Sequence, residues 1–406
     1  MKTRSLILIL SLLCNLAQAQ TPLQQDADFI RQTIREQHPN LGFSADAAAV
    51  ERALTTIAAD APASLSRDES WQRLAVLNGL FADAHLFIGS PDWRADTAAH
   101  LKSGGGLFPF EVEIDGDGQL VIRAALGDAT TELAGARIVA INGVAAGAAC
   151  AQLLLRTHGD TPRFRSHLLA QRWWLYHWKM YGAASRYQLD LAREDRAWQV
   201  TVAASTQTPA ILLAERDPFG FELRPDGSAL LKVDSFDHEF KERFMALTHA
   251  AFTQMNERHI STLFIDISSN GGGDDDLWLD GLMPYLATRP YRTGSTYTKK
   301  TAGSPAIDGE IQTWRPAQPD NPLRFSGKVV VVIGPATYSS AVLFANVMQD
   351  FGFGTLAGEG KAARRAQSGG IRKFILPQSG LALWVPRFVL DPPNGETRRD
   401  TLLAPR

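Results

Sequence analysis

Two stretches of the chain put reactive or polarising groups where an apolar strand gives out. In the first, the β-branched run Val329–Ile333 passes through Gly334-Pro335-Ala336-Thr337-Tyr338 to Ser339-Ser340, and a helical pattern follows. A hydroxyl at a strand-to-helix junction meets free amides and the positive end of the helix dipole, so it is well placed for nucleophilic attack. The same position also suits a serine that merely caps the helix. In the second, Leu263–Ile267 runs into Ser268-Ser269-Asn270-Gly271-Gly272-Gly273. Adjacent glycines open backbone conformations closed to other residues and let the chain approach a ligand closely, with amides that could hold an oxyanion. Read as a flexible turn, the segment carries no chemistry.

Other chemistries find no support in the spacing. The chain has no His-Glu-x-x-His, no paired Cys-x-x-Cys, no phosphate-binding loop and no Gly-x-Ser-x-Gly, so neither metal nor organic cofactor is expected. Gly352, Gly354 and Gly358 follow a helical stretch instead of opening one, which argues against a dinucleotide site. Asp274-Asp275-Asp276 could be imagined as metal ligands but reads more simply as a solvated run. With 41 Lys and Arg against 43 Asp and Glu and no basic block, no nucleic-acid partner is expected. The two cysteines, Cys14 and Cys150, exclude a disulfide framework, and Cys150 among alanines reads as a small buried hydrophobe.

The elements that must carry these residues fall into blocks. Lys2 and Arg4, the apolar run Leu6 to Leu16 and Ala17-Gln18-Ala19 read as a secretory signal cleaved after Ala19, too short for a membrane span. An exported chain left with one cysteine fits the periplasm of a Gram-negative bacterium. Leu23, Ala27, Ile30 and Ile34 at helical spacing predict a helix ended by Pro39; further helices are predicted over Asp46–Ala59 and from Ser66 to Phe81. From Gly104 alternating and β-branched residues predict short strands, with a tight turn at Ile141-Asn142-Gly143-Val144 and a helical, tryptophan-rich tail over 157–181. From Ala229 apolar strands alternate with helices near Glu239–Arg258 and Ser340–Phe351, a layered β/α pattern.

These residues resemble the serine peptidases related to carboxyl-terminal processing peptidases and the tricorn core, in the variety without a full PDZ insertion. Asp266-Ile267-Ser268-Ser269-Asn270-Gly271-Gly272-Gly273 resembles that family's Asp-Leu-Arg-x-Asn-x-Gly-Gly, with Ser268 where arginine is usual. Thr337-Tyr338-Ser339-Ser340-Ala341 resembles Thr-x-Ser-Ala-Ala, and Leu356-Ala357-Gly358-Glu359 resembles the Val-Gly-Glu that follows. His38-Pro39-Asn40, Asp83-Ala84-His85-Leu86 and the segment GARIVAINGV over 135–144 resemble further motifs, in the same order. The resemblance implies a multi-domain α/β chain. After a signal over 1–19 it would have a helical module over 20–103, a β-rich, PDZ-like central module over 104–205 and a crotonase/ClpP-like β/α catalytic domain over 206–406.

Carried over residue by residue, the resemblance makes Ser339 the nucleophile and the amides of Ser340 and the Gly271–Gly272 turn the oxyanion hole. Where carboxyl-terminal processing members place a basic lysine, this sequence has Arg364, which stays protonated; Lys361 is a fallback. The tricorn-like branch uses a histidine, and His85 occupies that position as a base that is neutral near pH 7. Asp400 and Glu359 are the candidates for the acidic third member, and Asp83 for orienting the His85 loop. The expected activity is hydrolysis of peptide bonds in a peptide or protein substrate. An inactive, ligand- or peptide-binding relative and an esterase or amidase acting on small substrates remain open alternatives.

Overall fold

The computed structural model describes residues 20–213 and 217–405; the expected signal segment lies outside them. The first helix, Pro22–Gln37, starts where Thr21 and Gln24 cap each other's backbone amides, and it buries Leu23, Ala27, Ile30 and Ile34. Asp46 caps Ala47–Ala59. The third expected helix is two, Arg67–Leu74 and Leu77–Phe81, and Ala82 then turns the chain through a left-handed conformation (φ 46°). Within the second of these, buried Asn78 gives its amide to the carbonyls of Ile88 (2.9 Å) and Arg156 (2.8 Å) and accepts from the Ile88 amide (2.7 Å). Those bonds hold the strand Phe87–Gly89, and with it the residues just before, against the helical layer.

That strand pairs antiparallel with Ala382–Val385, Phe87 opposite Trp384, and Ala382–Val385 pairs in turn with Arg372–Ile375. A hairpin from near the C-terminus thus completes the N-terminal layer, and its Leu376, Leu381, Leu383 and Val385 share one core with Leu23, Leu74 and Phe81. The same core extends under an antiparallel sheet of Phe110–Ile114, Leu120–Ala125, Arg137–Ile141, Arg186–Arg193 and Arg196–Ala203. Asn142 and Gly143 take positive φ (50° and 80°) at the expected tight turn. The tryptophan-rich tail forms two helices, Pro162–Gln171 and Trp173–Tyr181, the second burying Trp173 and Trp174 completely.

A second core surrounds a five-stranded sheet. Ser228–Val233, Thr262–Asp266, Lys328–Ile333 and Thr355–Gly358 run parallel, with Phe219–Leu223 antiparallel at one edge. Such strands are covered on both faces, which is why they read as continuous apolar runs. Lys241–Glu257, Asp275–Gly281 and Ser340–Asp350 are among the covering helices. Thr262–Asp266 and Lys328–Ile333 are direct neighbours, Phe264 opposite Val330. Parallel strands end on the same side, so the glycine loop and the serine junction emerge together. A smaller antiparallel sheet (Ile307–Glu310, Thr296–Lys299, Phe388–Leu390, Gln367–Gly369) brings Gln367 and Ser368 to that edge. The whole is a multi-sheet α/β chain.

Candidate active site

Ser339 stands at the N-terminus of Ser340–Asp350 with φ 54° and ψ −125°, a conformation L-residues avoid. Holding it costs on the order of 1–3 kcal/mol, and the surroundings supply the restraint. The Ser339 amide donates to Gln367 Oε1 (3.0 Å), the Tyr338 amide to the Asn270 carbonyl (3.1 Å), and Thr337 bridges the Gly334 amide and the Ile267 carbonyl. Its hydroxyl makes no capping bond, so the alternative of a simple N-cap is not what the geometry uses. Gly272 (φ +105°) lies so close that a Cβ on it would sit 2.7 Å from the Ser339 Cβ and 3.0 Å from the Ser340 nitrogen. Glycine is required there by contact as well as by conformation.

The amides around Ser339 differ in their commitments. The Gly272 N–H donates to Asn270 Oδ1 (2.8 Å), while the Gly271 and Ser340 N–H groups have no acceptor among the described residues. The Asp274–Asp276 run does not behave as one solvated patch. Asp275 turns inward to accept from the Ser340 hydroxyl (2.5 Å) and the Trp278 indole (3.3 Å), whereas Asp276 pairs with Lys241 (3.0 Å) at the surface. Burial raises the Asp275 carboxyl, partly offset by the Ser340 bond.

His85 is buried beside this junction, its ring against that of Tyr338 with centroids 4.9 Å apart. Its Nδ1 lies 3.1 Å from the Ser368 hydroxyl, which donates to Asp83 Oδ1 (2.9 Å); Asp83 Oδ1 also accepts the His85 amide (2.7 Å). With the Ser368 proton directed to Asp83, the Ser368 oxygen accepts from Nδ1–H, and the proton is fixed on that nitrogen. Nε2 then carries the lone pair and has no partner among the described residues. Burial pushes the imidazole down to about 4, against the opposing pull of Asp160, so the ring is neutral at neutral pH. No hydrogen bond joins it to the Ser339 hydroxyl among the described residues.

Behind the histidine lies a cluster that residue types alone do not reveal. The Tyr338 hydroxyl donates to buried Asp160 (2.7 Å) and sits 3.4 Å from Asp83. Arg364 gives its amide to Asp160 (2.9 Å) and its guanidinium to the Ala82 carbonyl (2.6 Å). Burial raises both carboxyls, Asp160 to about 6. Arg364, 3.6 Å from Asp160, opposes that rise in both carboxyls. Sequence reasoning missed Asp160, Gln367 and Ser368; only Asp160-Thr161-Pro162 left a signal, as the start of Pro162–Gln171.

The other candidates are placed elsewhere. Glu359 is largely exposed and paired with Arg163, and Asp400 is exposed; neither hydrogen-bonds His85. Lys361 is exposed, with its amide on the Leu403 carbonyl. Arg364, expected where a base might stand, instead clamps the loop that precedes His85. A cavity of about 560 Å³ opens from His85, Tyr338 and Gly271 toward Trp93, Arg172 and Tyr176 on the helical side. His85, Gly271 and Tyr338 thus line one cavity, and Ser339 with the free Ser340 amide follows Tyr338 directly in the chain.

Comparison with known proteins agrees with this chemistry. Residues 228–399, the parallel sheet with both loops, match the model of peptidase family S41. No curated protein matches the chain. Among solved structures, mature CPAF is 13% identical with a TM-score of 0.63, covering 95% of this chain and 92% of its own. CPAF complexed with lactacystin is 14% identical with a TM-score of 0.61 over 91% and 90%. At these identities the likeness is one of fold, and it extends over nearly the whole chain.

Proposed function

We propose, from the premise that this chain belongs to peptidase family S41 and is a serine peptidase, that Ser339 and His85 cleave peptide bonds as nucleophile and general base. The observation that carries this is the chain of contacts from His85 Nδ1 to Ser368 (3.1 Å) and from Ser368 to Asp83 (2.9 Å), which leaves Nε2 unpartnered among the described residues and beside the Ser339 junction. The Ser339 hydroxyl attacks the carbonyl carbon while its proton passes to Nε2 as the contact between them closes around substrate. The carbonyl oxygen takes the charge between the free Gly271 and Ser340 amides, with the Gly272 amide acting through Asn270 to hold the loop. Nε2 returns its proton to the leaving amine, and water then hydrolyses the acyl-enzyme by the same relay in reverse. Asp83 and Ser368 orient the ring, the role that Asp400 and Glu359 are not placed to fill. Arg364, permanently protonated, takes no part in proton transfer. The enzyme acts after export, in the periplasm, once the segment ending at Ala19 has been removed.

Fluorophosphonate labelling tests the assignment. Ser339→Ala is expected to abolish labelling, and His85→Gln to slow it by about 10²–10⁴-fold, the range a positioned base supplies. Undiminished labelling of Ser339→Ala would remove Ser339 from the mechanism. Product masses from a peptide library separate a peptidase from an esterase.

A further inference from the structure

The cavity that opens from His85 is charged in one sense. Arg67, Arg94, Arg172 and Lys179 line it, with Asp68 as the only carboxylate among the described residues there. Two of the four cations are already answered: Lys179 by Asp68 (3.2 Å), and Arg67 by Asp92 and Asp96 (3.7 and 3.6 Å). Arg94 and Arg172 have no acidic partner among the described residues. Both rest on the Trp93 ring, 4.3 and 5.0 Å from its centroid. The Arg172 Nε is buried and without an acceptor. Burial disfavours the Arg172 cation, Tyr176 opposes that, and the Arg94 charge adds to it by a smaller amount. A half-buried guanidinium whose Nε is shut off from water without an acceptor, beside a second unpaired arginine, is a costly arrangement that an anion would ease.

His158 connects this corner to the chemistry. It lines the same cavity and stacks on Phe87 (centroids 4.0 Å apart), the second residue after His85. Burial and the nearby Arg172 charge keep it neutral, pushed down to about 3, so it adds no cation of its own. The wall next to the base is therefore neutral and aromatic, with the unanswered arginines beyond it. Arginine's planar fork matches a carboxylate by two parallel N–H bonds, so this corner suits that group in particular.

We propose that Arg172, supported by Arg94, is the specificity residue of this site and holds a carboxylate of the substrate peptide, so that acidic peptides are cleaved in preference to neutral ones. The inference rests on the peptidase reading given above. The carboxylate could belong to an Asp or Glu side chain or to the peptide's own C-terminus.

Matched peptides decide. One arm carries Glu or Gln at successive positions around the scissile bond, with an amidated C-terminus; the other carries no acidic side chain and differs only in a free or amidated C-terminus. The native enzyme is expected to show at least a tenfold higher kcat/KM for the acidic member of one arm, and that arm names the source. Arg172→Met is expected to bring the ratio near one, and Arg172→Lys to restore part of it; the ratio is internal to each protein, so a change in overall activity does not affect it. Arg94→Met, at an exposed position, is expected to reduce the ratio and serves where Arg172→Met fails to fold. Equal rates within both arms for the native enzyme would overturn the proposal, as would a ratio unchanged in Arg172→Met and Arg94→Met. Failure of the underlying reading looks different: no peptide in either arm is cut and Ser339 takes up no fluorophosphonate.

Discussion

The two sides of the cleft in which Ser339 and His85 are proposed to act are held by different means. On the nucleophile side the restraint is backbone geometry: adjacent parallel strands deliver both loops, Ser339 is fixed in a disfavoured φ, and Gly272 fits against it with no room for a methyl group. On the base side the restraint is a set of polar and ionisable side chains drawn from distant parts of the chain, Asp83, Asp160, Tyr338, Arg364 and Ser368. Backbone contact fixes position without regard to pH, whereas a buried hydrogen-bonded cluster also sets which nitrogen of His85 holds the proton.

Breaking the steric side should have the largest effect. Gly272→Ala puts a Cβ 2.7 Å from that of Ser339 and must displace the nucleophile or the glycine loop. Activity is expected to fall by roughly 10²-fold or more, the penalty of misplacing a reacting group by an ångström. Melting should report an accompanying loss on the order of 1–3 kcal/mol. Near-native turnover would show that the loop adjusts freely and that the two sides are not held differently. A smaller effect is expected from Ser368→Ala, which removes the acceptor of His85 Nδ1–H and leaves the tautomer unfixed. A fall in kcat on the order of tenfold, with an altered acid limb of the pH profile, is a fraction of what the base itself supplies. If only KM moved, Ser368 would be acting on substrate binding instead.

The smallest effect needs no substitution. His85 is held down to about 4, so it stays neutral and competent down to mildly acidic pH. As the pH falls through about 4 the ring gains a proton and kcat/KM should fall; an acid limb near the ordinary histidine value of about 6.5 would mean that the ring is far more hydrated in the working enzyme.

What could be read in the sequence follows the same division. The serine junction and the glycine loop were legible because each is a local signal: an apolar strand, a loop of special residues, a helix start. The apolar spacing of Pro22–Gln37 and the Asn142-Gly143 turn were legible for the same reason. His85 entered through the resemblance, since nothing local distinguishes it from the other histidines. Ser368 and Asp160 were invisible because their roles exist only through pairing across the fold, as with the separation of 283 residues from His85 to Ser368. The break after Leu74 was also missed, because the apolar period continues through it and the tertiary bonds of Asn78 decide the chain's path.

The strand that follows His85 finds its partner in Ala382–Val385, so the segment carrying the proposed base is anchored by residues made well after it. Loop closure over such a separation is slow and comes after local elements have formed. A chain emerging vectorially holds the Asn-Gly-Gly loop and Ser339 before it holds the hairpin that seats His85. The proposed dyad is therefore completed only once that hairpin exists: a chain lacking Arg372–Val385 would carry the Ser339 junction with the strand after His85 unpaired.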